Sequence, residues 1–388
     1  MQGEQSVPEP TLDEDDHIPS MFHQSDANED PDNVTFHRND PLRVGIVGYG
    51  LGGSTFHAPL VAATPGLELV AIATSNPERV AKAKTRYPAV HVYDTIEQML
   101  AAEQLDLVVI STPHATHAPY ARAALARGAH VVVDKPFATT SAEARDLAAL
   151  ARQHGKLAIP FQNRRWDNEI LTVQKLMRDG TLGDIQRYES RYERWRPIPK
   201  ARWTEPGADE RGEGVLGDLT VHLVDQALLL FGPARSVYAE FERRHPDVVV
   251  VDDVFIAITH KSGVQSHLFT SPNVGILGPR LTVLGSKGAY VKHGIDPQEE
   301  ALIAGGTPGS PGWGEEPESA WGKVGAGDDV RPLRSEPGNY LSFYAAAARA
   351  IHDGTEPPVT TEQGIAMMEL LDAARLSARE HRVVELGQ

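Results

Sequence analysis

From residue 41 onward the chain alternates short, almost wholly apolar runs with stretches of helical period. The runs over 44–47, 67–73, 105–111, 129–133 and 157–159 predict buried strands. Between them, residues 77–86 predict a helix opened by Pro77, and residues 116–127 an amphipathic helix stopped by Gly128. Residues 141–154 predict an Ala- and Leu-rich helix that starts near Ser141 and Glu143 and stops at Gly155. Continuous apolar strands separated by helices require a parallel sheet covered on both faces.

After residue 160 the pattern changes. A helix is expected over 169–178, a Tyr- and Arg-rich strand over 185–194, a loop over 195–214 and a helix over 217–230. Strand-like runs at 236–243, 253–259, 264–270, 280–284 and 289–293 follow with no helix between them, which predicts an open antiparallel or mixed sheet. Residues 303–335, rich in Gly and Pro and carrying Trp313 and Trp321, predict a long ordered loop. Helices over 340–352 and 362–379 finish the chain. The expected class is α/β: an N-terminal parallel sheet over 41–160, then a C-terminal domain over 161–388 built on a large open, mainly antiparallel sheet.

Composition changes this picture at one end only. The 388 residues carry a net charge of −16, of which −10 falls within residues 1–40. That segment, rich in Pro, Asp, Glu and Asn without apolar period, is expected to be disordered. The remainder is mildly acidic, which argues against nucleic acid or an anionic membrane surface as a partner. The chain has no Cys, so thiolate catalysis, disulfides and Cys-ligated metal are excluded, and no other metal-ligand spacing stands out. No secretory signal or membrane span is recognised, and a cytoplasmic location is expected.

Candidate chemistry gathers at the carboxyl ends of the predicted strands, where parallel sheets bind ligands. Gly48, Gly50 and Gly53 fit G-x-G-x-x-G directly after a strand, with Leu51 inside the turn. In that fingerprint the first Gly permits the turn, the second admits a pyrophosphate and the third lets helix pack on strand. At the end of the second strand, Thr74-Ser75-Asn76 lacks the acid that usually binds a ribose 2′-hydroxyl. Ser75, Asn76 and Arg79 suit a 2′-phosphate instead, which favours NADP while leaving NAD open; the alternative is that Asn76 only caps the next helix. Thr112-Pro113-His114 and Asp134-Lys135-Pro136 occupy the next strand ends. Lys135 can stabilise a developing alkoxide. Further on, Asp218 and His222 stand four apart in a predicted helix, so they share a face. His222 suits proton transfer near neutral pH, and Asp218 could orient it or bind a second hydroxyl.

Taken together, the Gly48–Gly53 turn with His57-Ala58-Pro59, TPHATH at 112–117, DKPFA at 134–138 and GDLTVHLVDQ at 217–226 resemble the Gfo/Idh/MocA oxidoreductases. The segments 163–180, 196–203, 278–302 and 338–344 resemble most the NADP-dependent inositol dehydrogenases of that family. The resemblance implies a Rossmann domain and a C-terminal α/β domain whose open sheet forms oligomer contacts, as a homodimer or homotetramer. It implies Lys135, Asp218 and His222 as the catalytic trio, and Thr112, Pro113 and His117 lining the cofactor cleft. Arg165, Trp166, Arg202 and Trp203 are candidates near a small polyol or sugar substrate. Asp134 stands where the family usually has Glu, and Asn76 where NADP-dependent members often have Arg. The activity implied is interconversion of a secondary alcohol and its ketone. A glycoside hydrolase using bound NAD, or a non-catalytic cofactor-binding regulator, is the alternative.

Overall fold

The computed structural model describes residues 41–208 and 213–387; the expectation for residues 1–40 lies outside them. The N-terminal half runs β1 (Leu42–Val47), α1 (Ala58–Ala63), β2 (Leu67–Ala73), α2 (Pro77–Arg86), β3 (His91–Tyr93), α3 (Ile96–Ala102), β4 (Leu107–Ile110), α4 (His117–Ala126), β5 (His130–Val133), α5 (Ser141–Gln153) and β6 (Ala158–Pro160). A π-helical turn, Gly52–His57, leads into α1. All six strands are parallel, in the order β3-β2-β1-β4-β5-β6. That is the Rossmann order, whose switch point lies between β1 and β4. Residues of β1, β4 and β5 are nearly all buried, as a sheet covered on both faces demands.

The C-terminal half contains α6 (Asn168–Arg178), β7 (Ile185–Glu193), α7 (Val221–Phe231), β8 (Ala234–Glu242), β9 (Asp253–His260), β10 (Gln265–Ser271), β11 (Leu281–Gly285), β12 (Ala289–Lys292), α8 (Gln298–Ile303), β13 (Gly322–Ala326), β14 (Asp329–Leu333), α9 (Leu341–Asp353), α10 (Thr361–Glu380) and β15 (Val384–Glu385). Its nine strands form one sheet in the order β14-β13-β12-β11-β7-β10-β9-β8-β15. Only β7 and β10 pair in parallel; the other neighbours are antiparallel. Alternate residues of β9 are buried, so one face of this sheet packs and the other stays open.

Two expectations change. Residues 303–335 are not one long loop: β13 and β14 form a hairpin on the sheet edge. Its Gly and Pro residues have structural work there. A Cβ on Gly322 would stand 2.4 Å from the Tyr290 ring, and Pro332 lies in the edge strand, where proline is tolerated. Second, β3 and α3 carry no strong apolar run and had no counterpart among the predicted elements. The available signal was local: the Thr95 hydroxyl accepts from the Gln98 backbone N–H, and the Gln98 side chain accepts in return from the Asp94 N–H.

A buried polar seam fastens the segment leaving β6 into the C-terminal half. The Arg165 guanidinium donates to both Asp225 carboxylate oxygens (2.7 and 2.8 Å) and to Gln363 Oε1 (2.8 Å). Asp167 accepts from Tyr340 (2.6 Å) and Tyr192 (3.1 Å). Beside it Trp166, Phe161, Phe343 and Tyr344 pack against the β1 side of the Rossmann sheet. Asp225→Ala strands a buried guanidinium, so it is expected to lower stability by about 3–5 kcal/mol, read as a fall in the urea midpoint.

Candidate active site

The loop after β1 fits a dinucleotide by its glycines. Gly48 has φ +91°, and a Cβ there would lie 2.1 Å from the Ser111 carbonyl oxygen. A Cβ on Gly53 would lie 2.0 Å from the Gly48 carbonyl oxygen. Gly52, absent from the fingerprint, is constrained too: its Cβ would meet Ser111 Oγ at 2.3 Å and Asp134 Oδ2 at 2.7 Å. Gly50 differs. The atoms nearest to a Cβ placed there belong to the Arg79 guanidinium, at 3.8 Å and beyond. The loop is thus sealed on its protein side and open where a pyrophosphate would approach, with Leu51 exposed beside it.

Asp134 ties this loop to the end of β5. Its carboxylate accepts from Ser111 Oγ (2.9 Å) and the Lys135 N–H (2.8 Å) and lies 3.3 Å from His57 Nε2. Burial would raise its pKa, but His57 and Lys135 outweigh burial and hold the carboxyl well below its usual range. His57 in turn contacts Tyr344 through Nδ1 at 2.6 Å. The shorter acid at this position therefore remains bonded on both sides.

From β5 the chain turns through a cis Lys135–Pro136 bond. The Lys135 ammonium donates to the Asp218 carbonyl oxygen (2.7 Å) and sits 3.6 Å from Asp218 Oδ1. Asp218 belongs to a π-helical turn, Leu216–Thr220, that runs into α7. Its carboxylate also meets Lys200 (2.5 Å) and Arg202 (2.8 Å). Burial works against the charge, yet these three cations hold the Asp218 pKa well below the carboxylate range. One turn on, His222 is 5% exposed. Its Nδ1 lies 3.2 Å from Gln162 Oε1. An amide oxygen only accepts, so Nδ1 carries the proton and Nε2 keeps the lone pair. Burial, reinforced by the Arg164 and Lys135 charges, pushes the His222 pKa well below 6.5.

Both halves match a family in sequence. Residues 42–161 match "Oxidoreductase family, NAD-binding Rossmann fold", and residues 174–386 match its C-terminal alpha/beta domain. The chain belongs to the Gfo/Idh/MocA oxidoreductases. The oxidoreductase YdgJ of Escherichia coli K12, itself uncharacterized, is 40% identical over 89% of this chain and 98% of its own length. The scyllo-inositol 2-dehydrogenase (NADP(+)) IolW of Bacillus subtilis 168 is 35% identical over 89% of this chain and 96% of its own. The solved structure of YvaA from B. subtilis superposes with a TM-score of 0.84 at 34% identity, over 90% of this chain and 99% of that one. This Gfo/Idh/MocA protein is thus an oxidoreductase with an NAD(P)-binding Rossmann domain, and its relatives include sugar and inositol dehydrogenases.

Several expected site residues sit elsewhere. Asp218 forms no bond to His222; Gln162, which sequence reasoning missed, takes the orienting place. The shared helical face was a poor guide because Asp218 lies in a π turn whose cations come from other segments. His117 lies beneath the cleft rather than on its wall: its ring nitrogens stand 2.9 Å from two carbonyl oxygens, Nδ1 from Pro136 and Nε2 from Thr112. Thr112 is half-buried against Gly48, and Pro113 is exposed at the β4 end. Asn76 spends its side-chain oxygen capping α2, accepting from the Glu78 and Arg79 N–H groups. Ser75 and Arg79 are exposed next to it. Arg165 and Trp166 are interior: the first is consumed by Asp225 and Gln363, the second packs on Phe343. Arg202 reaches the site through Asp218, while Trp203 lies under Lys200, 4.9 Å from its ammonium.

Gly50→Ala should leave the melting temperature unchanged while weakening binding of the nicotinamide dinucleotide by roughly tenfold or more, about 1.4 kcal/mol, because its Cβ enters only the ligand side. Gly53→Ala should lower both. Fluorescence titration and thermal melts distinguish the two.

Proposed function

We propose that the protein reversibly oxidises a ring secondary alcohol of an inositol or related sugar to the ketone, with NADP as the preferred cofactor. The observation that carries this reading is the convergence of Lys135, leaving the Rossmann sheet, with His222, one helical turn beyond the carbonyl that Lys135 bonds. Bound nicotinamide supplies the hydride acceptor. Lys135 donates to the substrate oxygen and stabilises its developing negative charge. His222 Nε2, with no partner among the described residues, takes the hydroxyl proton, while Gln162 holds the ring through Nδ1. Asp218 keeps Lys135 and Lys200 in place and offers its remaining lone pairs to a neighbouring hydroxyl.

NADP is favoured by the Arg79 guanidinium overhanging Gly50, by exposed Ser75 and by the lack of an acid at the β2 end. The naming of IolW as an NADP(+)-linked scyllo-inositol dehydrogenase supports the same cofactor and substrate class. An even-numbered homo-oligomer through the open sheet and a cytoplasmic setting complete the proposal.

Replacing His222 with Ala should cut the oxidation rate by roughly 10²–10⁴-fold, measured at 340 nm with scyllo-inositol, myo-inositol and aldoses. Unchanged turnover would remove His222 from the mechanism. Arg79→Ala should narrow the preference for NADP over NAD by raising KM for NADP alone. The pH profile has a definite sign. A depressed imidazole pKa keeps the base neutral as pH falls through 6.5, so kcat/KM for oxidation should show no acid limb near 6.5 and should decline only well below it.

A further inference from the structure

Directly after β7 the chain is clamped in an extended form. The Arg194 N–H donates to the Ser271 carbonyl (2.8 Å), the Arg196 N–H to the Pro272 carbonyl (2.7 Å), and the Val274 N–H to the Arg194 carbonyl (3.0 Å). Trp195 forms an antiparallel bridge with Asn273 between them. In extended backbone, residues two apart share a face. Arg194 and Arg196 therefore project together, and Trp195, 61% exposed, projects the other way. The two arginines border a small, mainly apolar recess of about 50 Å³ whose other walls include Lys200, Trp203 and Leu219.

This recess adjoins the candidate catalytic groups. Lys200 bonds the Asp218 carboxylate, and Leu219 is the next residue in the same turn. Every residue that lines the recess belongs to the C-terminal half, and none to the glycine loop that suits the cofactor phosphates. Its charges do not balance. Asp218 is shared among Lys135, Lys200 and Arg202, and Arg202 also engages Glu213. No carboxylate among the described residues forms an ion pair with Arg194 or Arg196. Glu299, whose charge Arg194 feels, is taken by Arg164. Burial and the neighbouring Arg196 both disfavour the Arg194 charge. A guanidinium in that position gains most from an oxyanion, which it can bind by paired hydrogen bonds. More cations than carboxylates thus gather at this recess among the described residues.

Building on the dehydrogenase reading above, we propose that Arg194 and Arg196 form a subsite for an anionic substituent, a carboxylate or phosphate, on the polyol or sugar whose carbinol lies at Lys135 and His222. The substrate class is then a sugar acid or a phosphorylated polyol, and Lys200 links the subsite to Asp218.

The test is calorimetric titration of the full-length protein, loaded with NADPH so that no alcohol can be oxidised, with D-glucuronate, D-glucose 6-phosphate and D-glucose. At least one anion should bind tenfold or more tightly than glucose, and the preference should shrink as salt rises. The Arg194→Gln/Arg196→Gln double variant should reduce that preference by about tenfold or more, whereas Arg194→Lys/Arg196→Lys, which keeps the charges, should retain part of it. The carboxylate and phosphate arms show which oxyanion fits. Binding of neither anion, glucose binding as tightly as both, or a preference unchanged in a Gln variant that melts like the wild type would overturn the subsite. Because binding is read without turnover, anion binding with no reduction of NADP by any compound would count against the dehydrogenase reading and leave the subsite standing.

Discussion

An ammonium donating to a main-chain carbonyl joins the two halves of this molecule where chemistry is expected. Lys135 stands at the end of β5, and its bond reaches the π turn that opens α7. A side-chain carboxylate can rotate away from a cation, but a backbone carbonyl is fixed by the helix that carries it. The bond therefore transmits the register of one domain to the other. It also aims the remaining N–H groups of Lys135, since one of its three donors is already committed.

The surroundings are arranged so that this bond is not disturbed. Asp134 is pinned by Ser111, the Lys135 N–H and His57, so the backbone from which Lys135 departs has little freedom. The His117 ring lies between the carbonyls that flank the same corner. On the other side, Arg165 and Asp225 fasten α7 to the segment leaving β6, and Gln162 in that segment steadies His222. The charges around Asp218 are strongly asymmetric, with three cations on one carboxylate, which keeps it ionised.

Much of this was legible in the chain. Strands of β1, β2, β4 and β5 are short apolar runs that only a covered parallel sheet can bury, and Gly48 and Gly53 stand where a Cβ would strike backbone. Those features depend on local sequence and near neighbours. What sequence reading missed depends on distant ones. Gln162 and His222 are sixty residues apart, and nothing in either segment announces the other. Arg165 looked available for a substrate because its partner, Asp225, was hidden in an apolar helix. The β13–β14 hairpin was masked by its glycines, of which Gly322 admits the Tyr290 ring, and by a proline that an edge strand can carry.

The π turn at Leu216–Thr220 has a consequence for how such a site can vary. A turn of this kind holds one residue more than an α-helical turn of the same reach. Loss of a single residue there would draw the helix back to ordinary pitch and swing the Asp218 carbonyl away from the lysine, with every candidate side chain still spelled in the chain. The spacing of this stretch is then as binding a requirement as its letters, and homologues that differ in its length would have to rebuild the corner by other means.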